Sequence, residues 1–247
     1  MSKVENIMPY GEKGDVRHKG EQVRDMFDNI APTYDLMNRM MTLGIDRLWR
    51  RRCVRIVRQL DPSSVLDLAT GTGDLAIALA KAVPAARITG GDLSEGMLSQ
   101  ACKKAEAEGA QDRIVFQTAD ALDLPFPDNS FDAITIAFGV RNFEHLERGY
   151  AEMLRILRPR GTLLVLELTP PSSPIVKPFY RFYTRGIIPI VGKLVSKDSS
   201  AYAYLPESIA AVPARKAMTD IMLRVGFTNT KWKNLTAGVA TIYTATK

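Results

Sequence analysis

The residues of this 247-residue chain best placed to do chemistry are acids that each close a short apolar run. Asp67 lies in "SVLDLA", Asp92 in "ARITGGDL" and Asp120 in "RIVFQTAD". Between the first two stands "TGTGD" (70–74), a glycine turn with a further acid, Asp74, on its far side. Glycines let the backbone turn tightly and let a ligand approach it closely. Gly71, Gly73 and Ala76 also satisfy the G-x-G-x-x-G/A pattern of dinucleotide sites, and Asp92 lies about 20 residues on, where a ribose-binding acid belongs. A pyrophosphate, however, would sit at the start of the helix after the turn, and Asp74 occupies that start. Two carboxylates around the turn repel a phosphate and favour a cation.

S-adenosylmethionine meets that demand, with a sulfonium, an α-ammonium and no phosphate. Asp67 is expected to orient the amino group, directly or through water. Asp92 accepts both ribose hydroxyls, and Asp120 takes the adenine amino group, with the Ala121 amide facing the ring. Gly71, Thr72 and Gly73 in the turn, and Leu93 and Met97 after the second acid, complete the cofactor set. Ala137, at the end of a fourth apolar run, adds a backbone contact.

These residues need a frame. From residue 61 the pattern alternates between runs of strand and helix type: "SVLDLA", "GDLAIALAKAV", "ARITGGDL", "SEGMLSQACKKAEAEG", "RIVFQTAD", "FDAITIAFG", "LERGYAEMLRILRP", "GTLLVLEL". Strands that alternate with helices and are apolar almost throughout predict a parallel sheet covered on both faces, with ligands at the carboxyl ends of its strands. Two helices over 21–40 and 44–60 precede it, and residues 1–20 read as loosely ordered. "TPPSSPIVKPF" is too rich in Pro and Ser for a regular element; an apolar insertion, "YRFYTRGIIPIVGKLVS", follows it. "PESIAAVPARKAMTDIMLRVG" reads as helix broken at Pro213, and the last 21 residues as an antiparallel hairpin at one sheet edge. The expected fold is thus α/β: a doubly wound, mostly parallel, seven-stranded sheet in one domain. A helical cap (21–60), a cofactor core (61–168), an insertion forming the substrate region (169–205) and a last helix with hairpin (206–247) follow in order.

Composition sets bounds. Hydrophobic residues make up 46% and charged residues 24%, ordinary for a globular protein. The apolar runs all fall short of the roughly 20 residues of a membrane span, and the polar N-terminus has no signal-peptide core. Two cysteines, Cys53 and Cys102, lack metal-ligand spacing and suit a reducing cytoplasm. The net charge of +6 equals the six arginines of "RLWRRRCVRIVR" (47–58), which holds no acid. That stretch reads as an amphipathic helix with solvated arginines, as a peripheral contact with anionic lipid, or as a nucleic-acid patch. An "NPPY"-type motif after the fourth strand and a basic groove rich in aromatics are both missing, so no nucleic acid is expected.

"VLDLATGTGD", "GGDLSEGML", "TADALDLPFPDNSFDAITI" and "ILRPRGTLLVLEL" resemble the class I methyltransferases. "YDLMNRMMTLGIDRLWRR" (34–51), "FGVRNF" (138–143), "SSAYAYLPESI" (199–209) and "NLTAGVATIY" (234–243) resemble one family among them, the quinone-biosynthesis C-methyltransferases of the UbiE/MenG type. The likeness runs from about residue 22 to the end. Two positions depart from it: Arg160 stands where a glycine is usual, and Ala137 where a small hydroxyl residue is common. The resemblance implies methyl transfer from S-adenosylmethionine to a ring carbon of a lipophilic prenylated quinol, in menaquinone or ubiquinone biosynthesis. The expected location, from cysteine usage and the basic helix, is the cytoplasm, with peripheral contact at the inner face of the membrane where the lipid reading of 47–58 holds; a homodimer is left open. Another small molecule or RNA as acceptor, or S-adenosylmethionine binding without turnover, are the alternatives.

Methyl transfer needs a nucleophilic carbon. Loss of a hydroxyl proton from an electron-rich quinol supplies it, so a polar group must face that hydroxyl. Arg141 and Asn142 follow the fourth strand at the cleft rim. Tyr34 and Asn38, four apart on a cap helix, share a face. Arg141, which stays protonated, is read as holding a quinol oxygen or a water. Arg141 and Tyr34 form the expected catalytic pair, with Asn38, Asn142 and Tyr202 on the substrate; Tyr204 is placed beside Tyr202. His145 and His18 are weaker candidates, at a helix start and in the N-terminal segment.

Overall fold

The structure, a computed structural model, describes residues 3–10, 14–171, 173–176, 178, 180, 183, 186 and 200–247; of 3, 4, 200, 202 and 203 it describes the backbone alone. Three α-helices come first among the described residues: α1 (Lys19–Ile30), α2 (Tyr34–Thr42) and α3 (Asp46–Leu60). Then come β1 (Ser64–Leu68), α4 (Asp74–Ala82), β2 (Arg87–Asp92), α5 (Glu95–Ala107), β3 (Ile114–Thr118), β4 (Phe131–Ala137), α6 (Leu146–Ile156) and β5 (Leu157–Leu168). Beyond the insertion lie α7 (Ser200–Ala211), α8 (Lys216–Val225), β6 (Thr228–Leu235) and β7 (Ala240–Thr246).

The seven strands form one sheet in the order β3-β2-β1-β4-β5-β7-β6. β3 to β5 pair in parallel, and β7 pairs antiparallel with both β5 and β6. The expected doubly wound sheet and its terminal hairpin are therefore present. Alternate residues of each strand feed opposite cores. Leu66, Ile134 and Val165 pack under α6 and α8, while Val65, Ala133 and Leu164 pack under α3 and α4. The strand order reverses between β1 and β4, and a crevice opens there at the carboxyl ends. The acids of the sequence motifs stand around it.

Several boundaries differ from the expected ones. The helix expected over 21–40 is two helices, because Pro32 has no N–H for a continuous ladder. The helix before β5 ends at Ile156 and the strand starts at Leu157, earlier than "GTLLVLEL", since the residue before Pro159 disfavours helix. Arg160 has φ 68°, so the glycine usual in the related family has a physical reason, and arginine is strained there. Nor is the start of the chain loose where it is described. Glu5 is buried and accepts the Leu146 amide at 2.9 Å, Tyr10 donates its amide to Gln22 Oε1 at 3.0 Å, and Lys19 is fully buried. Most of the insertion lies outside the described residues.

Candidate functional site

β1 runs into the glycine turn, and the turn is bonded to β2. The Gly71 amide donates to Asp92 Oδ2 at 2.7 Å, and the Ser94 amide donates to Asp92 Oδ1 at 3.0 Å. Gly71 and Gly73 have φ of 57° and 79°, which glycine adopts without strain. Ser94 caps α5 by accepting the Met97 amide at 3.1 Å, and its hydroxyl donates to Asp28 of α1 at 2.6 Å. The cap is thus pinned to the loop that carries Asp92.

A first cavity lies above this loop. Gly71, Asp92, Leu93, Met97, Asp120, Ala121 and Ala137 all line it, and Asn142 joins them. Asp92 has about four acceptor positions, which the backbone amides do not exhaust, so it can still accept from a ligand hydroxyl. Burial raises its pKa, opposed by the Ser94, Gly71 and Leu93 amides. The floor is apolar (Leu68, Met97, Ala119) and the polar groups are few and convergent, as a nucleoside site requires. The residues present therefore fit the ribose and base of S-adenosylmethionine. The enclosed volume is about 130 Å³, below the roughly 300–1,000 Å³ of most small-molecule sites. α1 contributes Val23 and Phe27 to the lining.

Three expected cofactor residues are not on this wall. Asp67 is 1% exposed and turned inward, accepting Thr70 Oγ1 and Thr135 Oγ1 at 2.7 Å each. Strand register sets this, since Asp67 lies beside Thr135 of β4. Asp67 braces the turn from beneath. Thr72 donates its hydroxyl to Asp35 of α2 at 2.6 Å. Gly73 faces Ala101 and Phe116, where a Cβ would come within 3.1 Å of each. Asp74 is also taken: Lys104 pairs with it and with Asp35, and Arg50 lies 3.4 Å from it. The cation demanded by the acids around the turn is met by Lys104 and Arg50. The case against a phosphate rests instead on Asp92, Asp120 and Glu144, the acids that do line the cavity.

Burial pushes the Asp67 carboxyl up to about 6, against hydrogen bonds from Thr135 and Thr70 that lower it. The folded protein thus binds the proton more tightly than the unfolded chain, whose aspartates titrate near 3.9. The stability that protonation gives is present at low pH and is lost as pH rises through that window. An amide at this position does not titrate. The stability of Asp67→Asn relative to wild type is therefore expected to climb between about pH 4 and pH 6 and to level off above, as urea unfolding at several pH values will show. A flat difference would place the carboxylate in a less buried setting.

A second cavity, of about 470 Å³, adjoins the first. Its walls are mostly apolar: Met41, Ile45, Trp49, Phe138, Leu168 and Val239 among others. Trp49 is fixed by donating Nε1–H to Thr236 Oγ1 at 2.8 Å and meets Phe138 edge to face. Tyr34 lines both cavities and lies 3.8 Å from where a Cβ on Gly71 would stand, so it marks their junction. Asn38 lines the second cavity and hydrogen-bonds Tyr34. Burial raises the Tyr34 pKa, with Arg141, Asn38 and Arg50 opposing. The phenol is therefore a neutral donor and not a base.

Arg141 also lines the second cavity and is 5% exposed. Glu167, at the end of β5 and fully buried, accepts Arg141 Nη1 at 2.9 Å and the Arg141 amide at 3.3 Å. Phe138 O accepts Nη1 as well. Arg141 Nε, in contrast, is buried with no hydrogen-bond partner among the described residues. An unmet donor in a buried site is costly, and an incoming oxygen would relieve it. Burial disfavours the charge on Arg141, but Glu167 and Tyr34 outweigh it and its pKa is raised. The residue is a permanent cation.

Glu167 did not emerge from the sequence, although an acid at the end of the apolar "LLVLEL" obeys the same strand-end rule as the others. Lys19, which donates to Arg141 O at 3.2 Å and is pushed down to about 8 by burial, and Lys104 left no such signal. Asn142 accepts the Tyr204 hydroxyl at 3.2 Å, so Tyr204 reaches the site; the side chain of Tyr202 lies outside the described residues. His145 is exposed at the start of α6, and His18 bonds Glu144 at 3.2 Å on the surface. Neither lines the two cavities. Among the described residues there is no cluster able to hold a metal.

The geometry agrees with comparison to known proteins. The chain is 46% identical over 243 residues to a demethylmenaquinone methyltransferase of Bacteroides fragilis, with 98% of both chains covered. It is 44% identical over 248 residues to one of Porphyromonas gingivalis, with 100% of both covered. It is 43% identical over 230 residues to a ubiquinone/menaquinone biosynthesis C-methyltransferase of Geobacter sulfurreducens, covering 93% of this chain and 90% of that one. Among solved structures the [4+2]-cyclase SpnF superposes with a TM-score of 0.67 at 19% identity, covering 92% and 96% of the two chains. An S-adenosylmethionine-dependent methyltransferase of Aquifex aeolicus superposes with a TM-score of 0.56 at 18% identity, covering 74% and 81%. These structures establish the class I methyltransferase fold alone, since one of them is a cyclase. The similarity in sequence to methyltransferases along the whole chain, and not the fold alone, makes it a methyltransferase of a small molecule with S-adenosylmethionine as cofactor. Residues 15–247 match the ubiE/COQ5 methyltransferase family, and with relatives this similar along their whole length the chain belongs to it.

Proposed function

We propose that the protein methylates a ring carbon of a prenylated quinol: demethylmenaquinol, the methoxy-benzoquinol precursor of ubiquinone, or both. One observation carries this reading. The second cavity is mostly apolar, its charged Asp46 and Arg50 are paired with each other, and Tyr34, Asn38 and Arg141 gather toward its junction with the cofactor cavity. A molecule with a polar ring and an apolar tail suits a mostly apolar cavity with hydrogen-bonding groups beside the cofactor. The relatives whose names specify a demethylmenaquinone or ubiquinone/menaquinone substrate support it.

Bound S-adenosylmethionine supplies an electrophilic methyl group with its leaving group already in place. The protein's own part is to hold the ring, exclude water and favour the ionised ring hydroxyl. Arg141 Nε offers its free N–H to that oxygen, and the guanidinium charge lowers the hydroxyl's pKa. Glu167 keeps the fork of Arg141 oriented. Tyr34 and Asn38 donate to the same polar end, and the apolar wall keeps the ring dry, so the charge interaction is not screened by water. The hydroxyl proton passes to solvent water, the ionised ring is the better carbon nucleophile, and loss of the proton on the methylated carbon restores the aromatic ring.

The test is incubation with labelled S-adenosylmethionine and, in parallel, short-tailed demethylated naphthoquinol, benzoquinol and RNA. Label is expected in a quinol and not in RNA. The oxidised quinones, electron-poor at the ring carbon, are expected to accept no label until a reductant is added. Equal labelling of oxidised and reduced forms, or transfer to RNA alone, would overturn the reading.

A further inference from the structure

The corner between α2 and α3 carries a surface that methyl transfer leaves unused. Leu43 ends α2 with φ 51° and is 77% exposed, while also lining the rim of the apolar cavity. Glycine or asparagine is at home in that left-handed conformation, and leucine is not. Met40 and Leu36, one and two turns back on the same face of α2, and Leu48 on the first turn of α3 are exposed as well. Along α3, Trp49, Cys53 and Val57 are buried, whereas Arg47, Arg51, Arg55 and Arg58 form an exposed stripe. Among the described residues none of these four arginines pairs with an acid. Like charges four apart on a helix repel one another. Between residues 36 and 60 the only acid is Asp46, which is buried against Arg50.

We propose that this corner docks on an anionic lipid bilayer, with the arginine stripe on the headgroups and Leu43 and Leu48 inserted below them. The rim of the cavity then faces the membrane, and a prenyl tail stays in lipid while its ring enters. The proposal rests on the quinol reading for what passes through the rim, but the docking can be measured without it. Nucleic acid would satisfy the arginines yet leave the leucines in water. It would also find no stacking platform, since the aromatic ring of this helix, Trp49, is 5% exposed.

The test is flotation of the full chain with vesicles of phosphatidylglycerol mixed into phosphatidylcholine, against phosphatidylcholine alone and against single-stranded RNA in solution. Wild type is expected to float with the anionic vesicles and to be released by salt. Arg47→Gln, Arg51→Gln and Arg55→Gln together are expected to lower partitioning on the order of 100-fold, at about 1 kcal/mol per basic side chain near the surface. Leu43→Asn with Leu48→Gln is expected to lower it about tenfold or more, with the unfolding midpoint kept, because asparagine suits the left-handed position and glutamine a helix. Wild type that stays unbound, or variants that float as well as wild type, would overturn the proposal. So would RNA binding without flotation, which would assign the stripe to nucleic acid. Labelling of a short-tailed soluble quinol fails only if the proposed function fails, so the two readings fall separately.

Discussion

Asp92→Ala is expected to weaken S-adenosylmethionine binding by about 100-fold or more, because two hydroxyl bonds to a charged acceptor are worth roughly 1.5–3 kcal/mol each. The loss has a second source. Asp92 also accepts the Gly71 and Ser94 amides, so the alanine variant frees the glycine turn and the start of α5 from β2. Binding by calorimetry should therefore fall further than the removal of ligand contacts alone explains, with a lower unfolding midpoint. Asp92→Asn separates the parts: it keeps one acceptor oxygen but turns a donor toward the amides or the ligand. It should fall between wild type and alanine in affinity. The raised pKa of Asp92 adds a pH signature, since affinity should drop on acidification earlier than an ordinary aspartate would dictate. Affinity unchanged in the alanine variant, or NAD bound as tightly as S-adenosylmethionine, would refute the assignment of the first cavity.

Arg141→Ala is expected to lower kcat on the order of 100-fold or more, the cost of removing one charged donor from a developing oxyanion, with cofactor affinity nearly unchanged. The structure adds a complication that a rim arginine would not have. Glu167 is wholly buried and Arg141 is its counter-ion, so the single variant leaves an uncompensated buried charge, at about 3–5 kcal/mol of stability. Arg141→Ala with Glu167→Gln should recover much of that stability and none of the turnover. Arg141→Lys should fold, since the charge remains, but it lacks the fork that reaches Glu167 and the cavity together, and kcat should still fall. Stopped-flow single turnovers beside urea unfolding of the three variants measure both quantities. If turnover returns with stability in the double variant, Arg141 is structural.

Sequence reading went furthest where local chemistry decides. The alternation of apolar runs with helical segments set the parallel sheet, because period and burial are properties of neighbouring residues. The glycine turn and the strand-end acids set the ligand class. Asp92, Leu93, Met97, Asp120 and Ala121 fall on one wall because strand ends of a doubly wound sheet converge. Helix breaks were less legible, as at Pro32, where one missing N–H divides a continuous apolar pattern.

What only the tertiary structure decided is where each charge spends itself. Asp67 and Asp74 read as ligand acids in the chain, but Thr135 lies opposite the first across β4 and Lys104 reaches the second from α5, 68 and 30 residues away. Arg141 read as a rim residue, but Glu167 draws it inward from 26 residues on. A carboxylate or guanidinium near a cleft takes whichever opposite charge or donor the fold brings within reach, and low dielectric makes that choice strong. Partner choice therefore follows distances in space, which no spacing along the chain encodes, while the pattern that builds the cleft is written locally and can be read from the sequence.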